Sequence, residues 1–363
     1  MELNINILKR NIILCIILLS ILTVMAAAQE QEKNIYAADK PLSTYSHDTI
    51  KGGLNYTAGD SYYSGKLWTG DTYIVHNPVS LPEGAVVKFA RLYNYWTWSA
   101  EGNTGRYPDM KLTLDGVKLD PDIQYSDRKG WGVYDYPTGT WSYDVTDHVT
   151  KNGSYTAVVE NTGPDGSFFS MNGVGLLIVY TDEEGIYIEY WVNEGCDILN
   201  SGLEDDGSST YTTADQTITE MMTPTISQDL VKKATLWTII QSGNWDANRL
   251  WVNEMSWSGI CDGTPYPNLD IDMRVITEHL TVGKNTIQFQ AVEDYVIPSG
   301  SFLVVEIEPT AEGASTSISS EQSAKGASAS KGIPGFEVMP AIAPILIISL
   351  LISRKYKKGN QNY

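Results

Sequence analysis

The chain has 363 residues, which is enough for two ordinary domains that each bury a core. It contains 22 Tyr and 10 Trp but only 6 Phe, together with 31 Gly, and this composition favours β-strands with one solvated face. The formal net charge is −19; residues 1–28 contribute +1 and residues 338–363 contribute +4, so the part between them carries −24. Because such a surface repels nucleic acid and anionic lipid, we expect no nucleic-acid partner.

The first 28 residues have the pattern of a signal peptide. Lys9 and Arg10 precede an apolar run over residues 12–25, and three alanines at 26–28 supply the small residues that signal peptidase requires. We therefore expect the chain to be exported, with a mature form that begins near Gln29. An uncleaved N-terminal anchor is the alternative.

The C-terminal region combines four features in a fixed order. A Ser/Ala/Gly-rich stretch over residues 310–333 predicts a flexible stalk, because it has almost no bulky apolar residue to pack. Pro334, Gly335 and Phe336 follow, then an apolar run over residues 338–352, then four basic residues at 354–358. The apolar run has 15 residues and two prolines, whereas a comfortable span needs about 20. The basic end predicts a cytoplasmic terminus, which places residues 29–337 outside the cell.

This tail over residues 334–358 resembles the PGF-type sorting signal of archaeal surface proteins, with Pro334, Gly335 and Phe336 as the matching residues. The resemblance implies that an archaeosortase removes the tail and leaves a lipid-anchored protein. A plain C-terminal transmembrane helix is the alternative, and it predicts the same topology.

Two blocks of sequence occur twice between the terminal signals. VKFARLY at 87–93 recurs as VKKATLW at 231–237, and TDHVT at 146–150 recurs as TEHLT at 277–281. Within each copy the apolar residues alternate with polar ones, and Gly, Asn, Asp or Pro separates the short runs.

This pattern predicts an all-β protein: two tandem antiparallel β-sandwich, jelly-roll-like domains that arose by internal duplication. We expect the first domain at residues 45–183 and the second at 184–309. The boundary stays open in this prediction, because the predicted strand at 186–191 could complete either sheet. The turn around Thr146 is interpreted as a structural cap.

Longer segments resemble one family. GGLNY at 52–56, ARLYNYWTW at 90–98, YDVTDHV at 143–149 and YWVNEGCDIL at 190–199 are similar to the archaeal secreted family catalogued as domain of unknown function 3344. The resemblance covers residues 50–309. It implies extracellular β modules, and it implies no activity, because the family has none assigned.

The sequence offers little sign of catalysis. The four histidines, His47, His76, His148 and His279, lack the spacing of metal ligands, and no GxSxG motif marks a nucleophilic serine. We therefore predict that the chain is not an enzyme. Glycoside cleavage is the less favoured alternative, because a pair of carboxylates at catalytic separation is set by the fold and is not visible in a sequence.

Two acidic loops and two cysteines are candidate structural sites. Calcium is the one cofactor that the sequence suggests, because acidic residues on loops supply hard oxygen ligands; the alternative is that both loops are simply solvated. The candidate ligands are Asp205 and Asp206 in one loop, and Asp262, Asp270 and Asp272 near the other. Cys196 and Cys261 form an even pair in an exported chain, which is compatible with a disulfide and equally with two separate thiols.

An aromatic cluster in the long insertion of the first copy predicts a sugar-binding surface. Trp131, Tyr134, Tyr136 and Trp141 are the residues that we expect to stack on sugar rings. Asn55 and Asn152 are the two glycosylation sequons.

Taken together, the sequence predicts an extracellular protein anchored to the archaeal membrane, with a structural, adhesive or S-layer-associated role and no enzymatic activity. The main alternative is a polysaccharide-binding module whose insertion carries the aromatic surface.

Overall fold

A computed structural model describes residues 36–130, 135–202, 212–222, 224–226, 231–243, 247–260, 265–266 and 268–308. All of them belong to one compact unit within residues 1–314. Their secondary structure is β-strands with two short 3-10 helices, so the predicted all-β class is confirmed. No helix in these ranges is long and apolar enough to cross a bilayer. The predicted signal peptide, stalk, PGF motif and apolar run lie outside the described residues.

The strands are numbered in chain order. They are β1 Ser43–Thr57, β2 Lys66–Trp68, β3 Thr72–Val79, β4 Val86–Glu101, β5 Thr104–Gly105, β6 Met110–Leu114, β7 Val117–Leu119, β8 Ile123–Asp127, β9 Thr138–Asp144, β10 Gly153–Asn161, β11 Ser167–Thr181 and β12 Ile186–Glu194. The later strands are β13 Leu199–Asn200, β14 Ile218–Glu220, β15 Thr225–Ile226, β16 Val231–Gln241, β17 Arg249–Val252, β18 Met255–Trp257, β19 Pro265–Tyr266, β20 Leu269–Val275, β21 Gly283–Lys284, β22 Ile287–Gln290 and β23 Tyr295–Ile307. The 3-10 helices are η1 Ala214–Gln216 and η2 Thr277–His279.

One large antiparallel sheet runs through the whole unit. Its strand order is β19-β20-β16-β23-β12-β1-β11-β4-β9-β8. In the middle, β1 pairs with β12 from Ser43 opposite Glu194 to Gly52 opposite Ile186. We call this β1–β12 pair the seam, because the strands on one side of it come from the first sequence copy and those on the other side from the second.

The strand order is the same on both sides of the seam. Outward from the seam, the first half has β1-β11-β4-β9-β8 and the second has β12-β23-β16-β20-β19. Each half also has a separate four-stranded sheet, β3-β10-β6-β7 in the first and β14-β22-β17-β18 in the second. The strand at 186–191, which the sequence could not assign, pairs with β1 on one side and with β23 on the other.

The recurring sequence blocks make the same contacts in both halves. In the first half the Ala90 amide donates to Thr146 Oγ1 at 3.0 Å, and in the second the Ala234 amide donates to Thr277 Oγ1 at 2.8 Å. The next backbone bond also recurs, since the amide before each threonine donates to the carbonyl of that alanine at 3.0 and 2.9 Å. The threonine hydroxyl therefore binds the backbone of a central strand beside the turn. The helix η2 itself has no side-chain cap, so these bonds do not confirm a helix-capping role.

Three hydrophobic cores hold the sheets together. The first lies between the large sheet and the first four-stranded sheet, with Trp96 and Leu112 among its residues, and the second occupies the same place in the second half, with Leu236 and Phe289. The third core contains residues from both halves on the opposite face of the large sheet. Phe302 of β23, for example, packs against the rings of Tyr56 and Tyr93, with centroids 5.2 and 6.1 Å away.

Gly52 ends the paired region of the seam, where β1 contacts both β11 and β12. A Cβ at this position would lie 2.1 Å from the Tyr180 carbonyl oxygen and 2.8 Å from the Thr181 Cα, so the backbone itself would have to move. We expect Gly52→Ala to lower the free energy of unfolding by about 3 kcal/mol, as measured by urea denaturation.

Gly153 provides the matched control, because it also lies in a strand yet has no heavy atom within 4 Å of an added Cβ. Gly153→Ala should leave stability unchanged or raise it slightly, since it restricts the unfolded chain without a clash. Equal destabilisation by the two substitutions would contradict the close approach at Gly52.

Candidate functional site

Buried charge is concentrated where the two halves meet. Among the described residues, Arg91, Asp127, Glu194, Asp197 and Asp270 are buried charged residues. All except Asp270 belong to two ion clusters, each of which joins the two halves. Because buried charges are costly unless they are paired, these clusters are the most distinctive electrostatic feature of the fold.

The first cluster, the Arg91 cluster, consists of Arg91, Glu194, Asp122, Tyr93 and Tyr45. Arg91 of β4 is completely buried and donates from Nε and Nη2 to the two oxygens of Glu194 on β12, at 3.0 and 2.9 Å. Tyr93 donates to the same carboxylate at 2.8 Å, while Asp122 accepts from Nη1. The guanidinium also lies over the ring of Tyr45 at 3.8 Å. This two-pronged geometry suits Arg and could not be reproduced by Lys.

The charge state of this cluster follows from its contacts. Burial disfavours the Arg91 cation, but the hydrogen bonds and the charge of Glu194 outweigh burial and raise the pKa of Arg91. Burial, reinforced by the negative charge of Glu194, raises the pKa of the Tyr93 hydroxyl well above its usual value. The cluster therefore stays a charged pair with a neutral tyrosine, which suits a structural role.

The second cluster, the Lys129 cluster, consists of Lys129, Asp39, Asp127, Asp197 and Lys40. The Lys129 side chain is 4% exposed, and its Nζ lies 2.9 Å from Asp127 Oδ2 and 3.0 Å from Asp197 Oδ1. Asp39 and the Ala37 carbonyl also accept from Nζ. Lys40 Nζ lies 3.1 Å from Asp127 Oδ1.

Three carboxylates in this cluster are close enough to hold a metal ion. One oxygen each from Asp39, Asp127 and Asp197 lies within 4.8 Å of the others. The ammonium group of Lys129 contacts all three, so the protein already supplies a cation there. The donor set is therefore satisfied by the chain itself, and we assign no metal to it.

Burial has a strong effect on protonation in the Lys129 cluster. It raises the pKa of Asp197 above its usual value, even though Lys129 acts in the opposite direction. For Lys129, burial acts to lower the pKa, but the charges of Asp197 and Asp127 outweigh it and raise the pKa. Asp197 is thus more easily protonated than an ordinary aspartate.

A segment at the start of the described chain ties this cluster to the second half. We call residues 36–42 the strap. Its Ala38 and Leu42 amides donate to the carbonyls of Gln216 and Glu220 at 3.1 and 3.0 Å. Through Lys40 the strap also reaches Ser126 and Asp127 of the first half. The strap therefore crosses from one half to the other over the Lys129 cluster.

An exposed aromatic surface lies at the edge formed by β2 and β11. We call Tyr63, Lys66, Trp68 and Phe168 the aromatic strip. Trp68 is 46% exposed and its ring packs on Phe168, with centroids 5.0 Å apart. Lys66 Nζ lies 4.2 Å from the Phe168 centroid, and the Tyr63 hydroxyl donates to Ser170. An exposed indole beside a hydroxyl and an amine offers the contacts that sugar rings use.

The four aromatic residues predicted to bind sugar are not part of this aromatic strip. Trp131 and Tyr134 lie outside the described residues. Tyr136 is half-buried against Trp98, with ring centroids 6.1 Å apart. Trp141 is only 8% exposed and packs edge-on against Trp96 in the first core. Its assignment to a sugar-stacking surface is therefore corrected: Trp141 is a core residue, because β9 is buried on both faces.

An ion pair joins Arg128 and Asp135, which lie on either side of residues 131–134 in the sequence. Arg128 donates from Nε and Nη2 to the two oxygens of Asp135 at 2.8 and 2.9 Å. The Arg128 hydrogen bond is the main cause of the lowered pKa of Asp135. Because the pKa of Asp135 is lower in the folded state, the pair contributes its full stabilisation at pH values above the usual aspartate pKa. That stabilisation is lost as the pH falls through the folded-state pKa.

We therefore expect Asp135→Asn to cost about 0.5–1 kcal/mol at neutral pH, and the difference from wild type to disappear as the pH falls through the lowered folded-state pKa of Asp135. Urea denaturation from neutral pH into the acidic range measures both. Asp120→Asn is the control, because its pair with Lys118 is highly exposed and should contribute nothing measurable. A difference that persists at low pH would contradict this interpretation.

The predicted calcium ligands are not brought together as one site in the described part of the chain. Asp205, Asp206 and Asp262 lie outside it. Asp270 is buried on β20, opposite Ile240. Asp272 forms a two-pronged ion pair with Arg274, so its carboxylate is already engaged. Calcium binding by the full set stays a prediction.

Cys196 is a buried thiol that is free in the structure. Burial raises its pKa well above the usual value, which keeps it protonated and unreactive. Cys261 lies outside the described residues, so the predicted pairing with it stays a prediction.

The two sequons differ in exposure. Asn152 is exposed in the turn before β10, and its side chain bonds to the Leu81 backbone in both directions, at 2.7 and 3.0 Å. Asn55 is half-buried on β1 and donates to the Ser80 carbonyl at 3.4 Å. Glycosylation of either residue stays a prediction.

His148 and His279, which occupy equivalent positions in the two recurring blocks, have different surroundings. His148 is exposed, whereas the ring of His279 packs edge-on against Trp257 at 5.0 Å. His279 also borders an open depression of about 520 Å³ with Asn253 and Glu254. His279 is therefore packed against a neighbouring ring, whereas His148 is exposed at the equivalent position.

Comparison with known proteins identifies a family. The family model described as "Protein of unknown function (DUF3344)" matches residues 35–306, which is most of the chain and nearly all of its described strands. The chain belongs to the DUF3344 family. No curated protein matches the chain.

Solved structures resemble this DUF3344 protein only weakly. PNGase F, a glycosylasparaginase from Flavobacterium meningosepticum, is 13% identical with a TM-score of 0.22, over 71% of this chain and 96% of that one. The major capsid protein P2 from bacteriophage PM2 is 9% identical with a TM-score of 0.22, over 73% and 98%. Dimeric latent PorU from Porphyromonas gingivalis is 10% identical with a TM-score of 0.24, over 75% and 22%. Likenesses at this level carry no argument about activity.

Proposed function

We propose that this DUF3344 protein is a non-enzymatic component of the archaeal cell surface, with a structural, adhesive or S-layer-associated role. It is exported by its N-terminal signal and held at the membrane through its C-terminal tail, either by the apolar run or by a lipid anchor attached after cleavage. The observation that supports this best is that the buried charges of Arg91, Glu194, Asp127 and Asp197 all join one half to the other.

The two halves are held by three independent kinds of contact. They share backbone hydrogen bonds along the seam, apolar packing in the third core, and the ion pairs of the two clusters. Gln241 of β16 adds a polar link, because its Nε2 donates to Gly139 and Thr140 of the first half at 3.2 Å. A unit joined in this way keeps its halves from moving against each other, which is what a spacer or scaffold outside a cell requires.

We also propose that the two halves arose by duplication and that each is a β-sandwich. The shared strand order on both sides of the seam and the recurring threonine bonds at Thr146 and Thr277 support this origin. The first and second cores, each enclosed by one half of the large sheet and one four-stranded sheet, support two sandwiches.

Surface shaving of intact cells tests the proposed location. Protease added to whole cells should release peptides from residues 36–308, and these peptides should be absent from cells treated with protease inhibitor. Recovery of the peptides only after lysis would contradict a surface role.

A panel of polymeric sugars incubated with the purified chain should show no turnover, and reproducible cleavage would replace this proposal with glycoside hydrolysis.

A second candidate function is polysaccharide binding, which the exposed aromatic strip favours. In a pull-down with purified surface polysaccharide, Trp68→Ala and Tyr63→Ala should each reduce retention of the chain. Met273→Ala is the control, because Met273 is 57% exposed on β20, outside the strip. Equal retention of wild type and all three variants would contradict sugar binding by the aromatic strip.

A further inference from the structure

The Lys129 cluster brings an amine and a carboxyl group together in a buried place. The side chains of Lys129, Asp197 and Asp127 are 4%, 0% and 1% exposed. Cys196 and Ile198, which flank Asp197 in sequence, belong to a small apolar core together with Tyr36 and Ile297. A primary amine held 3.0 Å from a carboxylate oxygen, away from water, is in position for condensation.

The two buried carboxyl groups differ in their partners. Asp127 accepts from the amides of Ile198 and Arg128 at 2.7 and 2.8 Å, and it also contacts both Lys129 and Lys40. Asp127 is therefore fixed by several donors beside the Lys129 nitrogen, in a position to accept a proton and pass it on. Asp197, by contrast, accepts from one backbone amide, that of Lys40 at 3.3 Å, and from the Lys129 ammonium, while a hydrogen bond from the Thr219 side chain also acts to lower its pKa.

Burial raises the pKa of Asp197, so its neutral acid form is more accessible than for an ordinary aspartate. The neutral acid is the form that an amine attacks, because its carbonyl carbon lacks the negative charge that repels a nucleophile. Lys129 is itself an ammonium group, but the carboxylates that it contacts, the buried Asp127 and Asp197 and the exposed Asp39, can receive its proton. Both reactive forms can therefore arise by proton transfer inside the cluster.

We propose that the chain forms an intramolecular isopeptide bond between Nζ of Lys129 and Cγ of Asp197. A proton first passes from the Lys129 ammonium to Asp197, and the neutral amine then attacks the carboxyl carbon. Asp127 takes a proton from the nitrogen of the tetrahedral intermediate and delivers it to the hydroxyl group that departs. One N–C bond forms, one C–O bond breaks, and one water molecule leaves. Asp127 ends as the carboxylate that it was, and no oxidant or reductant is needed.

The bond would link residue 129 of the first half to residue 197 of the second. These residues are separated by 68 positions, and the cross-link closes the chain between them. Such a closure limits the freedom of the unfolded chain in the same way as a disulfide, and it does not depend on redox conditions.

Peptide mass spectrometry of the purified full chain tests the proposal. A tryptic digest should contain a branched peptide that joins the Lys129 and Asp197 segments, lighter by one water molecule than the two separate peptides. Trypsin should fail to cleave after Lys129, since an amidated lysine is no longer a substrate. Recovery of Lys129 and Asp197 only in separate, unmodified peptides would overturn the proposal.

Variants distinguish the roles within the cluster. Lys129→Arg keeps the positive charge but has no amine that forms this bond, so the branched peptide should disappear. Asp127→Asn keeps Lys129 and Asp197, which form the bond, but removes the carboxylate that transfers the proton. It should therefore reduce the yield of branched peptide at least tenfold. Asp120→Asn is the control and should leave the yield unchanged, because Asp120 is highly exposed and pairs with Lys118 outside the cluster.

Circular dichroism shows which variants are folded, and the wild-type digest remains decisive if Lys129→Arg does not fold. A branched peptide that maps to Asp39 or Asp127 in place of Asp197 would overturn the assignment. So would a full yield in a folded Asp127→Asn variant.

Discussion

Arg91→Met is expected to lower the free energy of unfolding by about 3–5 kcal/mol, because it leaves Glu194 buried without its cation. Glu194 is 1% exposed, and Arg91 supplies two of its hydrogen bonds. Hydrogen bonds from the neutral Tyr93 and Tyr125 hydroxyls cannot neutralise the charge of Glu194. Urea denaturation at neutral pH measures the loss, and the midpoint should fall while the dependence on urea stays the same.

The control for Arg91→Met removes the same charge from an exposed pair. Lys111 and Glu160 are 45% and 40% exposed, so Lys111→Met should cost less than about 1 kcal/mol. Adding Glu194→Gln to Arg91→Met should recover part of the lost stability, because the stranded charge is then gone. Equal losses for Arg91→Met and Lys111→Met would show that the buried pair contributes no more than a surface pair.

Phe302→Ala is expected to lower the free energy of unfolding by about 3–5 kcal/mol, through lost burial and the cavity that remains in the third core. Phe302 is 1% exposed and contacts aromatic rings of the other half. Because that core contains residues of both halves, we expect wild type and variant to unfold in one cooperative transition. Differential scanning calorimetry measures both the shift and the number of transitions.

Met273→Ala is the control for Phe302→Ala, since Met273 is exposed on β20 and its truncation opens no cavity. It should change the melting temperature little. Two separate transitions, with only the second half shifted in Phe302→Ala, would contradict the view that the halves share one core.

The strands were predictable because their pattern is local. Alternation places apolar side chains on one face, and the predicted strand at 186–191 falls within the observed β12. The recurring blocks also pointed correctly to equivalent positions in the two halves, since VKFARLY and VKKATLW both lie on central strands of the large sheet. Local pattern fails where a strand is buried on both faces, as β9 is, and this explains the mistaken assignment of Trp141.

The ion clusters could not be predicted, because their members are far apart in sequence. Lys129 lies 90 residues from Asp39 and 68 from Asp197, and Arg91 lies 103 from Glu194. In a chain with 44 acidic residues, none of these carboxylates stands out from its neighbours. A weak signal existed at Glu194 and Asp197, which fall within or beside an apolar stretch where charge is unusual.

The position of β1 constrains the order in which the chain can fold. This strand comes first among the described strands, yet its neighbours are β11 and β12, whose residues lie more than a hundred positions later. A chain delivered N-terminus first must hold β1 unpaired until β11 has emerged, and the pairing of Ser43 opposite Glu194 must wait for the end of β12. The large sheet then closes around its earliest strand as a late event, so assembly should be slow and should begin elsewhere, in the hairpin of β6 and β7 or of β17 and β18.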